Sequence, residues 1–250
     1  VTPETIAAFA RDHVATRDLK TDDFPHDLWA EMGKAGVLGY GLPAEYGGTE
    51  ASLAEIMAAA EGFMRAGRNL GIVTAWQTHI LAGRFFIAAH GTAAQTQELL
   101  PDLATGKRTA CIAISEPGAG AHPKRLSSTA RREGEAFVID GAKAWLTNGP
   151  VADYYLFLAI TGEDGGLKRF SLIGLPRDTP GVTQTDAGAV EFLKPCQHGG
   201  IEVKGARVPA ANMIGAEGAA FDIMAKGFRS FEDVVGLGAG IGGLLACADM

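Results

Sequence analysis

Cys111-Ile112-Ala113-Ile114-Ser115-Glu116-Pro117-Gly118-Ala119-Gly120, answered further along by Trp145-Leu146-Thr147-Asn148-Gly149, is where the reading of the fold turns. The first stretch is a short apolar strand running into a turn. Its glycines can take positive φ and let the backbone close on a bulky planar or phosphate-bearing ligand, with N–H groups free to bind it. The second places an aromatic ring, a hydroxyl and an amide at the end of another strand, a set suited to stacking on a ring system and hydrogen bonding to its heteroatoms.

Outward from these motifs the hydrophobic period changes. From Thr109 onward β-rich runs follow one another at Thr109 to Ser115, Leu126 to Arg132, Ala136 to Ile139, Ala144 to Thr147, Tyr154 to Ile160, Phe170 to Leu175 and Ile201 to Val203. Glu133-Gly134-Glu135 and Asp140-Gly141 read as hairpin turns. Strands so close, without helices between them, predict an antiparallel barrel or sandwich and not a βαβ sheet. Upstream the pattern is helical. Thr2-Pro3-Glu4 is a start signal, Phe24 to Val37 has helical spacing, and Ser52-Leu53-Ala54-Glu55 and Thr92-Ala93-Ala94-Gln95 fit capping boxes. Trp76, Ile80, Leu81, Phe85 and Phe86 in the Leu70 to Ala89 stretch read as helical core. A helical pattern resumes near Gly218.

The apolar fraction of 47% over 250 residues is that of an ordinary globular protein, and a net charge of −7 argues against a nucleic-acid surface. Lys124-Arg125 and Arg131-Arg132 read as solvated charge on a loop and an exposed strand. Cys111, Cys196 and Cys247 are odd in number and far apart, which indicates neither a disulfide framework nor zinc and fits a reducing, cytoplasmic compartment. Cys196-Gln197-His198 supplies too few ligands for a closed metal site and reads as structural. No apolar run reaches the ~18 residues a membrane helix would need. Val1 and Met250 both read as cut ends of a longer protein, so a targeting signal cannot be assessed.

Leu42-Pro43-Ala44-Glu45-Tyr46-Gly47-Gly48, His90-Gly91-Thr92, Leu100-Pro101-Asp102-Leu103-Ala104-Thr105-Gly106, the two motifs above, and Val208-Pro209 with Asn212, Ile214 and Gly215 come in one order along the chain. In that order the chain resembles the acyl-CoA dehydrogenase family. The resemblance implies an α+β plan: an N-terminal helical domain over 1–108, a middle antiparallel β-barrel domain over 109–216, and the start of a C-terminal helical bundle over 217–250. It implies FAD as cofactor. Ile112, Ile114 and Ser115 would line the isoalloxazine, Gly120 would approach the pyrophosphate with Ala121 beside it, and Trp145, Leu146 and Thr147 would cover another face or edge of the ring. It further implies an acyl-CoA thioester substrate, an electron-transferring flavoprotein as acceptor, and assembly into homodimers or homotetramers.

The departures fall at the coenzyme end of the implied substrate site. Where the family continues its glycine turn with Ser-Asp, this chain has Ala121-His122, losing a hydroxyl. Where Asp and Arg often approach the coenzyme, Arg229 and Glu232 stand, inverting the charges, and a glutamate there repels phosphate. In the family the α-proton is removed by a carboxylate that usually lies beyond Met250. A minority place it on the helix that begins near Gly218, where Glu232, one residue from that position, is the candidate, and an ordinary surface glutamate is the preferred reading. Two other functions stay open: a flavin-dependent monooxygenase or oxidase on the same fold, and a non-catalytic subunit. Gly238, Gly240 and Gly243 also spell G-x-G-x-x-G, a dinucleotide fingerprint. The alternative, that small residues here admit close helix packing, is preferred because only two β-branched residues precede it and the chain ends before the position, about 20 residues on, where the fingerprint's acidic residue is expected.

Overall fold

The computed structural model of the chain describes residues 1–186 and 190–250. Its N-terminal part is helical: α1 Pro3–Phe9, α2 His26–Lys34, α3 Leu53–Gly67, α4 Leu70–Ile80 and α5 Ala93–Ala104. The three expected starts hold. Thr2, Ser52 and Thr92 each accept from the backbone N–H three residues on, while Thr5, Glu55 and Gln95 reach back to the cap N–H. Such reciprocal capping satisfies two otherwise orphaned donors. α4 runs on without a break into a π-helical stretch, Leu81–Ala88, so Leu70 to Ala88 is one rod. Its apolar face builds the helical core, with Trp76 fully buried against Phe63 and its indole N–H donating to the Val37 carbonyl at 2.8 Å.

The middle of the chain is one eight-stranded sheet: β1 Ala110–Ala113, β2 Thr129–Glu133, β3 Ala136–Thr147, β4 Tyr154–Asp164, β5 Leu167–Pro176, β6 Val182–Asp186, β7 His198–Pro209 and β8 Met213–Ile214. The order is β6-β7-β3-β2-β4-β5-β8, with β1 on β4. Most pairings are antiparallel as expected, but β1 and β2 both pair with β4 in parallel, so the sheet is mixed. A parallel pair needs a long crossover, and everything between β1 and β4 provides it. β1 and β2 lie end to end along β4, Ala113 opposite Phe157 and Thr129 opposite Ile160, while residues 114–128 loop out of the sheet between them.

Glu133-Gly134-Glu135 is the expected hairpin turn, with Gly134 at φ 61°. Asp140-Gly141 is not a turn: β3 passes straight through it, with only a register shift between Ile139 and Gly141 against β7. A Cβ on Gly141 would collide with Ser128, so the glycine serves close approach and not chain reversal. The polar β6 and two-residue β8 carried no apolar alternation to reveal them.

After the sheet come α6 Ala220–Ile223, a π-helical turn over Met224–Phe228, and α7 Arg229–Ala248. α7 is continuous through Gly238, Gly240 and Gly243, so the G-x-G-x-x-G is no strand-to-helix turn. Instead α7 packs on α3, and a Cβ at Gly238 or Gly242 would strike the backbone carbonyls of Met57 or Glu61. One expectation on membranes changes: by length and a mean hydropathy of 1.4, α7 is the one helix among the described residues long and apolar enough to cross a bilayer. Average hydropathy tolerates the glycines and polar residues that interrupt a strict apolar run.

Candidate functional site

The loop between β1 and β2, the end of β3 and the first turns of α6 and α7 enclose a cleft of about 410 Å³. Ile112, Ile114, Ser115, Ala121, Trp145, Leu146, Thr147, Arg229 and Glu232 all line it. Residues distant in sequence are thus gathered on one wall of strand ends and one wall of helix.

The strand wall depends on a bulge. Between Lys143 and Leu146 the register of β3 against β7 shifts, and Trp145 takes φ 60°. Positive φ is costly for a bulky side chain, and a bulge re-aims what it carries. Here the indole is left 62% exposed at the cleft while Leu146 beside it is buried.

A buried ion pair holds the two motifs together. The Lys143 ammonium donates to the Ile114 carbonyl and to Glu116 Oε1, both at 3.0 Å, and lies 4.9 Å from the centre of the Phe157 ring. Glu116 also accepts from the backbone N–H of Ser127 and Ser128 and from the Ser127 hydroxyl. Burial alone would raise the Glu116 pKa, but the Ser128 and Ser127 hydrogen bonds and the Lys143 charge outweigh it and hold it down to about 2. Neither residue was a sequence candidate. The sequence reads Lys143 as lying between two strands, after the Asp140-Gly141 turn, and so gave no signal of an inward position.

The glycine turn is tight in itself. Glu116 N–H donates to the Gly120 carbonyl and Gly120 N–H to the Glu116 carbonyl, each at 3.0 Å, with Gly120 at φ 60°. The Gly120 N–H is therefore spent inside the turn and is not free to bind a ligand, and Gly120 is absent from the cleft lining. What it offers is open backbone, since a Cβ there would meet nothing. The expected amide of Asn148 is also engaged elsewhere: fully buried, it donates to the Ala75 carbonyl at 2.8 Å and anchors the end of β3 to α4. Cys196 supports it, its thiol donating to Asn148 Oδ1 at 3.8 Å, and the thiol pKa is pushed up to about 12 by burial. Cys196 is thereby a packing residue.

On the helix wall Arg229 pairs with Asp233 at 2.9 Å, while Glu232 stands exposed at the mouth. Partial burial raises the Glu232 pKa, with Arg229 pulling the other way. Leu81, Met224 and Phe228 add to the apolar lining, and Thr78 of the long rod also lines the cleft. Sequence periodicity assigned Leu81 to the core; only the packing of the rod beneath the strand ends gives it a cleft face.

Residues 2–107 match the acyl-CoA dehydrogenase N-terminal domain and residues 111–205 the acyl-CoA dehydrogenase middle domain. The chain belongs to the acyl-CoA dehydrogenase family. It is 33% identical over 217 residues to the acyl-CoA dehydrogenase FadE12 of Mycobacterium tuberculosis, covering 86% of this chain and 55% of that one. Among solved structures it resembles an FAD-dependent dehydrogenase (TM-score 0.85, 27% identity, 99% of this chain and 66% of that one). It also resembles the prolyl acyl carrier protein oxidase AnaB (TM-score 0.84, 27% identity, 95% of this chain and 64% of that one). The chain spans about half the length of the curated relatives it matches, 53% and 55% for those of Bacillus subtilis and M. tuberculosis.

Proposed function

We propose that the cleft holds the isoalloxazine of FAD and that the whole protein dehydrogenates an acyl thioester between Cα and Cβ. The observation that carries this is the convergence of Ile112, Ile114 and Ser115 with Trp145, Leu146 and Thr147 on one apolar cleft edged by two hydroxyls. That chemistry fits a flat, largely apolar ring system with polar atoms at its edge. The open backbone at Gly118 and Gly120, where a Cβ would meet nothing, leaves room beside the ring for a phosphate-bearing tail. Bound there, FAD would supply a two-electron acceptor for the hydride leaving Cβ.

The chain's own part is to bind, orient and exclude water. Trp145 offers a broad surface for stacking, and Leu81, Met224 and Phe228 line the same cleft. Ser115 and Thr147 offer hydroxyls to the ring edge. Glu232, at the mouth with a raised pKa, is a candidate proton acceptor, and the change Glu232→Gln tests it. A drop of at least a hundredfold in anaerobic flavin reduction by substrate is expected for a general base; an unchanged rate removes Glu232 from the chemistry. An electron-transferring flavoprotein as acceptor and assembly of two or four copies belong to the same reading.

One observation favours a second reading. Ala121 carries no hydroxyl, and Glu232 places a negative charge at the mouth, so the coenzyme A end of a thioester finds less to hold it. A thioester on another carrier, oxidised with oxygen as final acceptor, would need neither contact. The deciding experiment is a visible spectrum of the full-length protein, before and after anaerobic addition of a panel of acyl-CoA thioesters. A flavin band that bleaches supports the dehydrogenase. A band that persists, and reoxidises rapidly in air once reduced with dithionite, supports the oxidase. No band overturns both.

A further inference from the structure

We infer that His198 is a positioning residue that fixes the direction of the Thr147 hydroxyl, so that at the cleft its oxygen can only accept a hydrogen bond. The inference rests on the flavin reading for its consequence and on the protein alone for its geometry. Thr147 and His198 are register partners across β3 and β7, and Thr147 Oγ1 lies 3.1 Å from His198 Nε2. The other ring nitrogen, Nδ1, lies 3.3 Å from the Cys196 carbonyl oxygen.

A carbonyl can only accept, so Nδ1 must carry the proton. The ring is neutral, because burial lowers the His198 pKa below the ordinary value, with the Cys196 carbonyl opposing. In a neutral imidazole with Nδ1 protonated, Nε2 is bare and accepts. The hydrogen it accepts is that of the Thr147 hydroxyl. The reverse tautomer would set the Nδ1 lone pair against the Cys196 carbonyl oxygen.

The segment that carries that carbonyl is itself held. Asn148 N–H donates to the Gln197 carbonyl at 2.9 Å, the Cys196 thiol donates to Asn148 Oδ1, and the buried Asn148 side chain is tied to Ala75 of α4. Thr147 therefore presents lone pairs to the cleft. With FAD bound as proposed, a flavin ring nitrogen that bears hydrogen only after reduction could donate to that oxygen when reduced and would face its lone pair when oxidised, so the arrangement would favour the reduced cofactor.

The test uses the full-length protein. In wild type labelled with 15N-histidine, the His198 resonances, assigned by their perturbation in Thr147→Val, are expected to show Nδ1 protonated and Nε2 bare. A protonated Nε2 overturns the inference whether or not flavin binds. In the FAD-loaded protein, His198→Phe frees the hydroxyl to donate and is expected to shift the flavin reduction equilibrium about tenfold toward the oxidised form, about 30 mV for a two-electron couple. In a Thr147→Val background the same change is expected to shift nothing. An equal shift in both backgrounds marks a merely structural effect and overturns the inference, and so does no shift in either. A wild type that binds no flavin overturns the functional reading instead, and the resonances still decide the tautomer.

Discussion

Lys143 is wholly buried, and an ammonium in that position is tolerable only because Glu116, the Ile114 carbonyl and the Phe157 ring surround it. Removing one partner of a buried pair leaves the other charge uncompensated. Lys143→Met is therefore expected to destabilise the protein by about 3–5 kcal/mol in urea unfolding at pH 7. The pH dependence follows from Glu116, whose pKa is about 2 folded against 4.5 ordinarily. A depressed carboxylate stabilises above the ordinary value and loses that contribution as pH falls through 4.5 toward 2, about 3 kcal/mol in all. The gap between wild type and Lys143→Met is thus expected to narrow between pH 5 and pH 3. If it stays constant, the two residues do not act as a pair. None of this was visible as a motif: Glu116 reads as part of a turn and Lys143 as one charge between two strands, and only the fold brings them to 3.0 Å.

At the scale of elements, α7 shows how one composition supports two readings. Its glycines spell a dinucleotide fingerprint, yet they differ sharply in surroundings. Gly238 and Gly242 press on the α3 backbone, whereas a Cβ at Gly236 or Gly240 would meet nothing. Gly240→Ala is expected to raise stability by about 0.5–1 kcal/mol, through helix propensity and a less flexible unfolded chain. Gly238→Ala is expected to lower it by about 1–3 kcal/mol, because the helices must separate. Equal effects at both positions, measured by urea unfolding, would mean α7 does not pack on α3 in this way. The capping boxes of α1, α3 and α5 were legible because a cap is a local arrangement of adjacent residues. The bulge that exposes Trp145 was not, since a register shift belongs to two strands at once.

Across the whole molecule, the helical and sheet layers meet at His79. Fully buried on α4, it has Nε2 3.0 Å from the Leu103 carbonyl of α5 and accepts at Nδ1 from Ala110 N–H of β1 at 3.5 Å. Only a neutral ring can do both, and burial takes its pKa down to about 4. The unfolded chain then takes up the proton first as pH falls. Stability conferred by His79 is full above the ordinary value of 6.5 and is lost as pH falls toward 4, about 3 kcal/mol in all. His79→Gln is expected to flatten that part of the stability profile between pH 7 and 4.5; an unaltered slope would exclude His79 as its source. The sequence by itself determined the helix starts and most strands, because periodicity, caps and turn chemistry act between near neighbours, while the three-part plan and the candidate cleft residues came with the family resemblance. Only the tertiary structure decided that β1 and β2 flank a loop along β4, that Lys143 reaches Glu116, that Gly120 spends its N–H within its own turn, and that His198 stands behind Thr147. Those contacts join residues far apart in the chain, and their energies depend on burial and on which partner each polar group finds.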